Sequence, residues 1–246
     1  MDILPELMEK DKLLDCLESG EIELLGQFTW GSNFTFLTQV HSANCALEGV
    51  YKPVRGERPL WDFPAESLAG REVAAYLLSE GLGWGLVPPT VFREDGPAGP
   101  GSLQLRVAHD PERHYFNFTE GERQRLRTAA LFDLLANNAD RKGGHILLSD
   151  DGSLWLIDHG ICFHEEPKLR TVIWDFVGEA FPADLLNDLK RLETMLQPGG
   201  ELHAGLAPFL SAAELAALEA RCLALLAAGR YPAPPEDERA VPWPPV

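Results

Sequence analysis

The chain has little with which to hold nucleic acid or an anionic surface: 21 Lys and Arg stand against 38 Asp and Glu in 246 residues, a formal charge of −17. So acidic a protein repels phosphate backbones and anionic headgroups, and no lysine- or arginine-rich run offsets this. The clearest basic cluster, Arg123, Arg125 and Arg127, follows Glu120 and Glu122 and reads as a solvated helix face. Cysteine is also scarce. Cys16, Cys45, Cys162 and Cys222 are scattered without CxxC spacing, which argues against a zinc cluster built from them and against a disulfide framework. Reduced, mostly buried thiols are expected. No apolar run approaches the roughly 20 residues that span a bilayer. The opening MDILPELMEKDKLL is acidic and lacks the basic and apolar regions of a signal peptide, so the chain reads as cytoplasmic. There is no internal repeat.

What remains is an ordinary globular composition, 45% hydrophobic and 24% charged, long enough for one large domain or two lobes around a cleft. Residues 1–20 suggest a short acidic helix ending at Gly20. Residues 21–54 read as three strands, with a turn at Gly31-Ser32-Asn33 and CALEGVYKPV as the third. A helix is expected from about Ser67 to Glu80, followed by two strands, VPPTVFRED and GSLQLRVAH. The second half changes character. Thr119 and Glu122 form a capping box for a strong helix reaching about Asn137. A hairpin turning at Asp151-Gly152 follows, then helices at about 183–196 and 211–228. The Pro-rich end, residues 231–246, reads as an extended tail; it could bind a partner in polyproline form, though a disordered end is the plainer reading. The expected class is α+β and two-lobed, with an extension over 1–21, a β-rich lobe over 22–110, a mainly helical lobe over 111–230, and a cleft between the lobes.

The densest chemistry lies in NNADRKGGHILLSDDGSLWLIDHG, residues 137–160. It carries Asp140 in a loop, Asp158 at the end of a strand and His145 between them. Loops and strand ends are where scaffolds present chemistry. Two carboxylates meeting across a hairpin suit a divalent cation or proton abstraction. Asp140 taken alone could be a solvated loop aspartate, and His145 a satisfied core histidine or a metal ligand. Asp158 is harder to explain structurally, because a charge closing the apolar strand LWLI needs a partner. Lys52, in VYKP, would alone read as an edge charge. A strand lysine paired with a glutamate on the next helix, here Glu72 in GREVAAY, is how kinases hold nucleotide phosphates. The turn from Gly26 to Asn33, with Gly31 and Ser32, could fold over phosphates with its N–H groups or be an ordinary hairpin turn; it carries neither a Walker pattern nor GxGxxG.

In this order, VYKP, GREVAAY, NNADRKGGHILL and LIDHG resemble the phosphatidylinositol 3-/4-kinase-like branch of the protein-kinase fold. HipA-type kinases belong to the same wider group, and the likeness is nearest to uncharacterised bacterial phosphatidylinositol-kinase-like proteins. It spans about residues 22–195. The resemblance implies a two-lobed kinase-like fold, ATP as phosphoryl donor, and Mg²⁺ or Mn²⁺. It implies that Lys52 contacts the α/β phosphates, Glu72 holds Lys52, Asp140 matches the catalytic aspartate of DRHxxN, and Asp158 matches the metal-binding aspartate of DFG. Gln104 would lie near the adenine. Two departures stand out: His145 replaces the asparagine of DRHxxN, and Lys142 its histidine. Imidazole suits softer metals than magnesium, so either manganese is favoured or His145 binds no metal. The acceptor is expected to be a hydroxyl of a protein or small molecule, a lipid less so, since the segment after Gly160 has only Lys168 and Arg170 against Glu165, Glu166 and Asp175. The alternatives are a nucleotide-binding pseudokinase acting as a scaffold, and transfer of AMP on the same fold.

Overall fold

The computed structural model of the protein describes residues 10–28, 33–43, 45–235 and 239–246. Five antiparallel strands, β1 (Glu21–Gln27), β2 (Phe36–Ser42), β3 (Cys45–Pro53), β4 (Thr90–Arg93) and β5 (Gly101–Leu105), form one sheet in the order β1-β2-β3-β5-β4. Side chains alternate across a strand, and β3 shows it: Leu47 and Tyr51 are buried, while Val50 and Lys52 are only partly covered. Helix α1 (Lys10–Ser19) lies on the Leu47–Tyr51 face. Its Leu13, Cys16 and Leu17 make a small core with Val40, Leu47, Tyr51, Val91 and Leu103.

That packing corrects the expectation for two cysteines. Cys16 on α1 and Cys45 at the start of β3 form a disulfide, with Cα atoms 6.3 Å apart; Cys162 and Cys222 are free and buried. A local spacing rule cannot see this pair, because α1 reaches Cys45 only by crossing the sheet. Reducing cytosol opens such bonds, so this disulfide and the cytoplasmic expectation pull apart.

Helix α2 (Leu68–Leu82) is buried on nearly every side, with Arg71 and Glu72 among its buried residues, so these charges need buried partners. It packs against β4 and β5 on one side and against α5 (Ala183–Leu196) and α6 (Glu201–Leu206) on the other. Its first turn is capped from a distance: the Glu57 carboxylate accepts the N–H groups of Leu68 at 3.2 Å and Ala69 at 2.8 Å, satisfying donors that a helix start leaves open.

The capping box at Thr119 is present, but the helix expected to run on to Asn137 breaks. α3 (Glu120–Gln124) closes at a turn where Leu126 is fully buried, and α4 (Arg127–Ala136) restarts. Strands β6 (Ile146–Leu148) and β7 (Leu154–Leu156) make the expected hairpin, with Gly152 at φ +81° in its turn. Helices α5 and α7 (Ala212–Ala228) occupy the expected places, while the short α6 was not foreseen. These helices, with α2 and α4, bury the larger core. The Pro-rich end is not free. Ala240 O accepts the Thr171 N–H at 3.0 Å and the Trp174 indole N–H at 3.3 Å, and Pro245 O accepts the Gly143 N–H at 2.7 Å. The class is α+β, as expected. Among the described residues no helix is long and apolar enough to cross a membrane.

Candidate active site

Because Tyr51 points into the α1 core, Lys52 points the other way, into a cleft of about 500 Å³. Gly101 lets β5 pass close behind it, since a Cβ there would collide with the Lys52 carbonyl. Lys52 Nζ forms an ion pair with Glu72 Oε1 on α2 and lies 3.0 Å from Asp158 Oδ1. Glu72 Oε2 accepts the backbone N–H of His159 at 2.9 Å. Glu72 therefore ties Lys52 to the stretch that follows β7. Asp158 lies in that stretch with φ +62°, a left-handed conformation rare for a residue with a side chain.

The charges in the cluster set each other's ionisation. Burial pulls the Lys52 pKa down, but the carboxylates of Asp158 and Glu72 outweigh it and hold it above the usual lysine value. Lys52 in turn, helped by His145 and against burial, holds Asp158 well below the usual carboxylate range. His145 Nε2 stands 3.3 Å from Asp158 Oδ2. Burial pushes the His145 pKa down to about 4, so the ring is neutral near pH 7. Its Nδ1 accepts the Lys142 N–H at 3.4 Å, which assigns the ring proton to Nε2, facing Asp158.

Asp140 lies in the loop after α4, its N–H bonded to Asn138 Oδ1 at 2.9 Å and its Oδ2 3.0 Å from Lys142 Nζ. Burial raises its pKa against the pull of Lys142. Behind the loop sits a closed network. Asp133 on α4 receives Arg141 Nε at 3.1 and 3.2 Å, Asn138 Nδ2 at 3.1 Å and Thr171 Oγ1 at 3.0 Å. Arg141 also donates to Ile157 O at 2.8 Å and to His159 Nε2 at 2.8 Å. The loop bearing Asp140 is thus fastened to the stretch bearing Asp158 through one buried guanidinium.

Lys52, Glu72, Gln104, Asp140, His145 and Asp158 all line the same cleft. Gln104 Nε2 donates to Thr90 Oγ1 at 2.9 Å, which fixes its amide beside β4. Val50, Leu105, Val107, Leu147 and Ile157 add apolar lining. Gly31 and Ser32 lie outside the described residues. Their neighbours Phe28, Asn33 and Phe34 line the cleft, and Asn33 Oδ1 accepts the Arg58 N–H at 2.7 Å. Sequence reasoning missed Glu57 and did not assign a role to Lys142, both cleft-lining, nor to Arg71, Asp133 or Arg141. The available signal for Asp133 and Arg71 was a charge inside an apolar helical run, which must find a buried partner.

No family model matches the chain. It is 42% identical over 263 residues to Protein Rv2133c of Mycobacterium tuberculosis, covering 93% of this chain and 93% of that protein, and it belongs to the same family. It is 33% identical over 209 residues to phosphatidylinositol 4-kinase gamma 4 of Arabidopsis thaliana, covering 68% of this chain but only 36% of the plant protein. Among solved structures, the Golgi casein kinase with Mn/ADP bound superposes with a TM-score of 0.60 at 16% identity, over 88% of this chain and 74% of that one. Hydra Fam20 superposes with a TM-score of 0.57 at 17% identity, over 89% and 87%. The fold is that of the atypical kinases.

Proposed function

We propose that this protein is an atypical kinase of the phosphatidylinositol 3-/4-kinase-like group, moving the γ-phosphoryl of ATP to a hydroxyl of a protein or small molecule. The observation that carries this reading is Lys52, gripped by Glu72 and Asp158 inside a cleft that also presents Asp140 and Lys142. The kinase-like fold supports it, and so does the partial match to a plant kinase. Lobes at 22–110 and 111–230 would enclose the nucleotide, with α1 bound to the outer face of the sheet.

In this reading Lys52 neutralises the α/β phosphates while Glu72 holds it in place, and Gln104 with the end of β5 flanks the adenine. Gly31 and Ser32 would close over the phosphates. Among the described residues no group of three or more His, Cys, Asp or Glu side chains is placed to hold a metal by itself. The half-exposed Asp158 carboxylate would instead be the residue to hold Mg²⁺ or Mn²⁺, and the ion would supply neutralisation of the transferring group's charge. For His145 to join as a ligand, its proton must leave Nε2 for Nδ1, ending the bond from Lys142 N–H. Asp140 orients the acceptor. The hydroxyl oxygen bonds to the γ phosphorus, the bond to the β–γ bridging oxygen breaks, ADP leaves, and the hydroxyl proton passes to Asp140. Its raised pKa suits that proton transfer.

A second reading, a nucleotide-binding pseudokinase, is favoured by one observation. Asp158 Oδ1 is already engaged by Lys52, and its Oδ2 faces the His145 ring at 3.3 Å. ATP labelled at the γ phosphate, with magnesium or manganese, separates the two. Label transfer or release by the wild type that is lost in both Lys52→Ala and Asp158→Asn supports the kinase. Nucleotide binding with no turnover under either metal supports the scaffold.

A further inference from the structure

Arg71 stands immediately before Glu72 on α2, and its side chain is 1% exposed. Its Nη2 forms an ion pair with Glu214 Oε1 at the start of α7. Its Nη1 donates to Cys162 O at 2.6 Å, and its Nε to Ser67 Oγ at 3.3 Å. The guanidinium carbon lies 4.8 Å from the centre of the Phe63 ring. Glu214 is itself held: its Oε2 accepts the Ser211 N–H at 2.8 Å, and its own N–H donates to Ser211 Oγ at 3.2 Å. Cys162 comes four residues after Asp158. One side chain therefore joins the helix that carries Glu72, the stretch that follows Asp158, and the N-terminus of α7.

We propose that Arg71 is a positioning residue for the Lys52–Glu72–Asp158 cluster, locking α2 to α7 and to the post-Asp158 stretch so that the cluster stands assembled without ligand or modification. The proposal rests on the kinase reading only for its consequence in turnover. Stability alone does not call for this arrangement. α2 already buries Leu68, Val73, Leu78 and Leu82, and buried ion pairs are commonly replaceable by neutral groups without loss. What a guanidinium fork adds is direction, since it fixes several acceptors in one geometry. Any swing of α2 away from Lys52 would have to draw that fork off a buried carboxylate and a carbonyl together. Glu57 holds the first turn of the same helix, so α2 is secured at its start and along its inner side.

The test uses the full chain and reads Lys52 directly. Arg71→Met combined with Glu214→Gln removes both buried charges, while a glutamine can still complete the Ser211 capping box. Acetylation by an N-hydroxysuccinimide ester at pH 9 is followed by peptide mass spectrometry, with exposed Lys190 as internal reference. A loosened α2 withdraws Glu72 from Lys52 and leaves its amine open to the reagent. Lys52 should then label several-fold faster than in the wild type, with an unchanged unfolding midpoint. An unchanged Lys52 rate in a folded double variant overturns the proposal. Should the double variant not fold, Arg71→Lys decides in the same way: it keeps the charge and loses the fork, so faster labelling supports the proposal and an unchanged rate overturns it. Turnover is read separately. A wild type that neither binds nor turns over ATP removes the kinase reading, and the labelling rate still decides whether Arg71 positions the cluster.

Discussion

Asp133 and Asp158 both lie beside the loop that carries Asp140, and the fold treats them in opposite ways. Asp133 is fully buried, and Arg141, Asn138 and Thr171 fill its oxygens with direct bonds. Burial raises its pKa, and the Arg141 charge opposes that most strongly. Asp158 keeps half of its side chain exposed, and its main partner is a lysine. An arginine fork holds fixed acceptors, whereas a lysine is a mobile point charge on a flexible stem. The closed cluster sets where the loop lies. The open one retains bonding capacity for a partner that arrives from the cleft.

The contrast breaks most clearly at Asp133. Asp133→Ala leaves a buried arginine unpaired and should cost about 3–5 kcal/mol in urea unfolding; a loss below about 1 kcal/mol would mean that the closed network does not hold the loop. Acid should come next. His145 titrates near pH 4 in the fold because burial depresses it, but near 6.5 when unfolded. Between those values the unfolded chain binds more protons, so stability is fully present above about pH 6.5 and is lost as pH falls toward 4, by at most about 3 kcal/mol. Buried His159 is shifted in the same direction. Thermal unfolding in chelator from pH 7.5 to 4.5 should show the slope, and His145→Asn should flatten part of it; an identical slope in the variant would assign the effect elsewhere. Thr171→Val, which removes the bond to Asp133 and the one that Oγ1 accepts from the Ile173 N–H, should cost about 2 kcal/mol and leave turnover of the folded fraction intact. The smallest effect on stability belongs to Asp158→Asn, below about 1 kcal/mol because the pair is half exposed, although the same change should abolish nucleotide turnover.

Much of the cleft was legible because it follows from short-range rules. Alternation along CALEGVYKP aims Lys52 away from Tyr51, the apolar stretch LWLI ends at Asp158, and Glu72 sits on the helix next in order. The order of these pieces, rather than any one of them, pointed to a kinase-like fold. What stayed hidden depends on partners distant in sequence. Arg71 meets Glu214, Cys16 meets Cys45 and Pro245 meets Gly143 through tertiary packing, and no local pattern records such choices. The break between α3 and α4 escaped for a related reason: the capping box and the apolar period are both real, but Leu126 turns into the core between them. Glu57 was overlooked because a carboxylate in a polar loop looks solvated until a helix start is found above it.

The return of the Pro-rich end to the body also bears on how the molecule is made. Gly143, three residues past Asp140, takes its backbone acceptor from Pro245, and Thr171 takes one from Ala240. Translation delivers Gly143 first and Pro245 about a hundred residues afterwards, an interval of roughly 5–20 s at ordinary ribosome speeds. Throughout that interval a nascent chain carries Lys52, Glu72, Asp140 and Asp158 while Gly143 and Thr171 still lack these two acceptors, so the loop gains this support only after residues 240–245 have been made.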